Sequence, residues 1–117
     1  MLTISKGYRY YLYGKRCDMR KGFDRLCGLV VNEFLQDPLS GDVFIFFNKP
    51  RSHVKLLQWQ GDGFAMFYKR LEKGTYEIPD IDSTKVGAEL TSQQLLLILE
   101  GISLMSVKKR VRYQQLV

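Results

Sequence analysis

The sequence is poor in the residues that build most catalytic centres. Among 117 residues there is one histidine, His53, and there are two cysteines, Cys17 and Cys27. A zinc site draws about four ligands from Cys, His and carboxylate at short spacings. Two cysteines ten positions apart, with no histidine cluster, do not offer one. They are not a C-x-x-C redox pair either, so the expectation is two reduced thiols. No G-x-x-x-x-G-K-[ST] phosphate loop and no G-x-S-x-G nucleophile elbow is present. No apolar run is longer than Leu95 to Leu99, which is far short of the ~20 residues of a membrane span. The opening Met1-Leu2-Thr3-Ile4-Ser5-Lys6 lacks the apolar core of a signal peptide. These absences predict a cytoplasmic protein that carries no metal and no cofactor.

Apolar residues make up 45% and charged residues 26%, the mixture of a folded globule rather than of a disordered chain. At this length one domain is expected, over residues 1–105, with a basic tail over 106–117. The net charge is +6, and it is unevenly spread. Residues 1–25 and 49–73 are rich in Lys and Arg, and the tail adds Lys108, Lys109, Arg110 and Arg112. Residues 77–100 run the other way, with Glu77, Asp80, Asp82, Glu89 and Glu100 against Lys85. A basic surface with one acidic segment suits a partner with a phosphate backbone.

The pattern of apolar residues predicts an α+β domain: an antiparallel sheet of about four strands with two helices packed against it. Strands are expected over residues 8–13, 43–48, 53–60 and 63–71. The run 43–47 is apolar throughout, which fits a central strand buried on both faces. In the next strand Val54 and Leu56 share one face, and Lys55, Leu57 and Trp59 the other. Gly61-Asp62-Gly63 is a hairpin signal. Thr75 to Ile78 reads as a further short strand, and residues 80–90 as a loop. The first helix is marked by Phe23, Leu26, Cys27, Val30, Val31 and Phe34 on a 3.6-residue period, with Asp18 as its expected N-cap. Thr91-Ser92-Gln93-Gln94 forms a capping box for the second helix, whose apolar face is Leu95, Ile98, Leu99 and Ile102.

Three blocks and a helix carry a family resemblance. They are Asp18-Met19-Arg20-Lys21-Gly22-Phe23-Asp24; Asp37-Pro38-Leu39-Ser40-Gly41 with Phe44, Phe46 and Asn48; Lys55 to Phe64 running on to Tyr68-Lys69-Arg70-Leu71-Glu72; and the segment Leu90 to Ile102. In order and spacing the chain resembles the TnpB accessory proteins of the insertion sequence 66 family of bacterial transposable elements, over roughly residues 5–102. It departs from their pattern at Pro50 and Gln60. The resemblance implies a small basic protein, encoded beside a separate and much larger transposase, that assists DNA transposition.

The expected function is therefore a non-catalytic accessory factor that binds DNA through phosphate contacts. The candidate residues are Arg16, Arg20, Lys21, Arg51, Lys55, Lys69 and Arg70, which cluster on two turns and the adjoining strands. An alternative is a module that docks on the cognate transposase, with Met19, Trp59 and Tyr68 as anchors. A third is a small metal-dependent nuclease built on Asp18, Asp24 and Asp62. An ion pair from Asp18 to Arg20 that only shapes the loop is a structural alternative for the whole 18–25 motif. Oligomeric state is not legible.

Overall fold

The structure is a computed structural model that describes residues 3–82 and 84–101. The expected tail at 106–117 and Ile102 lie outside the described residues.

Residues 10–13 alternate tightly between two buried environments and form β1, Tyr10–Tyr13. Helix α1, Phe23–Asn32, follows. The all-apolar run is β2, Val43–Phe47, and every residue in it is buried. Two antiparallel strands complete a meander: β3, His53–Trp59, and β4, Phe64–Arg70. A short strand β5, Gly87–Leu90, and helix α2, Ser92–Leu99, close the described chain. The five strands lie in the order β4-β3-β2-β1-β5.

The α+β class, the central strand and the meander agree with the sequence reading. The sheet has five strands, however, and it is mixed. β1 and β2 run parallel, with Tyr10 opposite Val43 and Leu12 opposite Ile45. Parallel neighbours cannot be joined by a tight turn, and the connection through α1 supplies the crossover they need. Residues 75–78 form no strand. The fifth strand instead lies inside the expected loop, where Gly87–Leu90 pairs antiparallel with β1. Four residues, one of them glycine, carry almost no β signal of their own. Their place is fixed by the edge of β1 that they cover. At Gly87 a side chain would collide with the Leu12 carbonyl oxygen and with the Phe34 ring, so the close approach of β5 to β1 requires glycine.

Side-chain alternation sorts the core onto two faces. Tyr10, Leu12, Val43, Ile45, Phe47, Val54 and Leu56 face α2, whose Leu95 and Ile98 are buried there. Tyr13, Phe44, Phe46 and Leu57 face α1, which contributes Leu26 and Val30. The helical stripe is narrower than its spacing suggests. Phe23 and Val31 are exposed, and Phe34 lies beyond the helix, with its ring 5.5 Å from that of Phe44. Asp18 does not cap α1. The N-cap is Gly22, without a side-chain bond. The capping box on α2 is formed: Thr91 Oγ1 accepts from the Gln94 N–H at 3.1 Å, and Gln94 Oε1 from the Thr91 N–H at 2.9 Å.

Strand direction brings the loops together. The segments after β1, after β2, before β3, after β4 and before β5 all meet at one end of the sheet. Residues 71–86 cross that end as a strap. Tyr76 donates its N–H to the Arg51 carbonyl at 2.7 Å, and Gly14 donates to Val86 at 2.8 Å.

Candidate nucleic-acid interface

Two loops build the basic end of the sheet. The first follows β1. Cys17 donates its N–H to the Phe47 carbonyl at 2.8 Å, which ties the loop to the end of β2. Asp18 Oδ1 then accepts from the Arg20 N–H at 2.9 Å, an Asx turn. The same carboxylate receives the Arg20 guanidinium, Nη2 to Oδ2 at 2.7 Å and Nε at 3.0 Å. Those side-chain bonds, with the backbone N–H of Arg20, hold the Asp18 carboxyl well below the usual carboxylate range. Asp18 therefore shapes the loop, as the ion-pair alternative expected.

Lys55 needs correction as a DNA contact. It is only 5% exposed. From β3 its ammonium donates to the Met19 carbonyl at 2.6 Å and the Lys21 carbonyl at 2.7 Å. It also stands 4.7 Å above the centre of the Tyr68 ring. With two of its three donors held by backbone carbonyls and its side chain buried, Lys55 is withheld from a phosphate. Lys55 instead fastens the 18–22 loop to the sheet through the Met19 and Lys21 carbonyls, and its contacts include two of the proposed docking residues, Met19 and Tyr68. Trp59 stands apart from them, at the opposite end of β3, where it packs edge-on against Phe64.

The second loop joins β2 to β3 and is organised by Asn48. Its Oδ1 accepts from the N–H groups of Ser52 and His53, at 2.9 and 3.0 Å. Its Nδ2 contacts Ser52 Oγ at 3.1 Å and His53 Nδ1 at 2.9 Å. An amide nitrogen only donates, so His53 Nδ1 is the acceptor and Nε2 carries the ring proton. Inside this cage Arg51 has φ +58°. That left-handed conformation costs a residue with a side chain about 1–2 kcal/mol. The turn keeps an arginine where glycine would be relaxed.

The two loops and the strap enclose a cleft of about 240 Å³. Lys15, Arg16, Lys49, Arg51, Asn48 and the strap residues Ile78 to Ile81 are among the residues that line it. A shallower depression continues past Arg16 and Lys49 to Lys21. Not every cation here is open. Lys15 pairs with Glu33 at 3.1 Å, Arg20 with Asp18, and Arg70 with Glu72 at 3.2 Å. Among the described residues Arg16, Lys21, Lys49, Arg51 and Lys69 form no ion pair. Of the seven predicted contacts, Arg16, Lys21 and Arg51 line these two adjoining hollows, and Lys69 lies near the same end on the edge strand β4. Sequence reasoning missed Lys49. Its only signal was its place in Lys49-Pro50-Arg51, a turn that the sheet directs to the same end as residues 14–17.

The other chemical candidates do not assemble. Asp18 is engaged by Arg20, Asp24 sits in the first turn of α1, and Asp62 lies in the β3–β4 hairpin at the far end of the sheet. Among the described residues no three His, Cys, Asp or Glu side chains group to hold a metal ion. Burial pushes the thiols of Cys17 and Cys27 up, away from the reactive thiolate form. No helix among the described residues is long and apolar enough to cross a membrane.

Residues 8–109 match the family described as IS66 Orf2 like protein. The chain belongs to that family. The match spans the whole described sheet and both helices, and it makes this IS66 Orf2-like chain a transposition-associated accessory protein. Two relatives come from Sinorhizobium fredii (strain NBRC 101917 / NGR234). The uncharacterized protein y4jC is 30% identical over 111 residues, covering 94% of this chain and 92% of its own length. The uncharacterized protein y4hO is 32% identical over 103 residues, covering 87% of each. No solved structure matches the chain.

Proposed function

We propose that this IS66 Orf2-like protein is a non-catalytic DNA-binding factor, and that it holds DNA through phosphate contacts at the basic end of its sheet. The observation that carries this reading is the convergence of Arg16, Lys49 and Arg51, all without ion-pair partners among the described residues, on one cleft from two separate loops. Lys21 extends the positive surface along the neighbouring depression. Guanidinium and ammonium groups so arranged position a backbone without reading much sequence.

Fluorescence anisotropy with a duplex from the element's end, titrated at several salt concentrations, tests it. About four phosphate contacts give a log–log salt slope near −4. The double variant Arg16→Ala/Lys49→Ala should lose about two units of that slope and bind all sequences more weakly. A slope near zero, or an unchanged double variant, refutes the reading.

A second reading is a docking site for the cognate transposase. It draws support from the edge strand β4, where Phe67 and Tyr68 are exposed on opposite faces. Aromatic side chains are enriched among interface hot spots. Recovery of the transposase on immobilised protein after nuclease treatment supports this reading, and loss of recovery on nuclease treatment counts against it.

A further inference from the structure

The open cations do not stand on a convex face. Three of them, Arg16, Lys49 and Arg51, line a recess of about 240 Å³, below the ~300–1,000 Å³ of pockets that take whole drug-sized ligands or cofactors. Its two sides differ in chemistry. The loop side carries charge, from Arg16, Lys49 and Arg51. The strap side offers carbon, from the half-buried Ile78, Pro79 and Ile81, with the exposed carboxylate of Asp80 between them.

Building on the DNA-binding reading, we propose that the cleft accepts one unpaired nucleotide of a single-stranded DNA segment. The phosphate lies among the three cations, and the base lies against the Ile78–Ile81 strap. A duplex can present phosphates to the rim, but its bases stay paired and stacked. Only an unpaired strand brings a phosphate and a free base face to the same recess. The backbone supports this assignment. Arg51 is held in a left-handed conformation by the Asn48 cage on one side and by the Tyr76 N–H on the other. Strained backbone of this kind clusters at functional sites; of the two non-glycine residues that have it among those described, Leu35 and Arg51, only Arg51 lines the cleft.

Anisotropy with a labelled oligonucleotide, single-stranded and annealed to its complement, tests the proposal on the wild type and on Arg51→Gly. Glycine accepts the positive φ, so this variant keeps the turn and folds. The single strand should bind roughly tenfold more tightly than the duplex, as burying about 50 Å² of base face against aliphatic side chains adds to the phosphate contacts. Arg51→Gly removes one phosphate contact and should weaken both forms about fivefold, keeping the ratio between them. Thymidine monophosphate should displace the single strand at roughly a tenth of the concentration needed for inorganic phosphate, from the same apolar burial of the base. Equal affinity for both DNA forms, or equal displacement by the two competitors, overturns the single-strand assignment and leaves the DNA-binding reading intact. Binding of neither form overturns both.

Discussion

Replacing Lys55 with methionine separates a structural lysine from a DNA-contacting one. The substitution keeps most of the side-chain length and removes the ammonium. Two charge-assisted hydrogen bonds are lost, to Met19 at 2.6 Å and Lys21 at 2.7 Å. Bonds to a charged group contribute about 1.5–3 kcal/mol each. The cation over Tyr68 adds about 0.5–1 kcal/mol. Against this, the buried ammonium no longer has to be desolvated, and the 18–22 loop lies near the surface, so water can reach the freed carbonyls once it loosens. The net expectation is a loss of about 3 kcal/mol. For a chain of this size that corresponds to a fall in Tm of about 10 °C. Thermal unfolding followed by circular dichroism reads it. Hydrogen exchange should show the amides of residues 18–22 opening before those of β2 and β3. A Tm within about 2 °C of wild type refutes the assignment of Lys55 as the fastener of this loop.

Three further outcomes follow from the same geometry. Gly87→Ala should cost about 2 kcal/mol or more, because the new methyl meets the Leu12 carbonyl and the Phe34 ring; urea unfolding measures it. Tyr76→Phe should raise stability by about 1 kcal/mol in the same assay, since the buried Tyr76 hydroxyl has no partner among the described residues. Arg20 depresses the Asp18 carboxyl, so the ion pair contributes above the unfolded-state pKa of about 3.9 and is lost as pH falls through the lower folded value. An NMR titration should find Asp18 still ionised when exposed carboxylates have protonated, and Arg20→Gln should move it part of the way back, since the backbone N–H bond from residue 20 remains.

The parts of the fold carried by local pattern were legible in the sequence. The apolar run of β2, the alternation in β3 and the capping box of α2 each encode their own structure within a few residues. β5 was not, because Gly87-Ala88-Glu89-Leu90 becomes a strand only through the pairing edge of β1, some seventy residues earlier. The parallel pairing of β1 and β2 is likewise a property of the crossover rather than of either strand. The candidate site divides on the same line. Charge alone put Lys55 beside Arg51, since period-2 alternation assigns Lys55 to a face but does not reveal that the 18–22 loop covers it. Asp18 looked like a helix cap because its residue type suits caps and Asx turns alike. Its choice between them depends on Arg20 two residues on. Lys49 and Arg16 meet only because parallel strands deliver both loops to one end of the sheet.

The central claim is that DNA meets the protein at that end. A ¹H–¹⁵N correlation spectrum of the labelled protein, recorded during titration with DNA from the element's end, tests it most directly. Amide shifts should concentrate in residues 14–22 and 48–52 and fade toward the 60–63 hairpin. Shifts centred on that hairpin or on the outer face of α1, or no shifts at low salt, would contradict it.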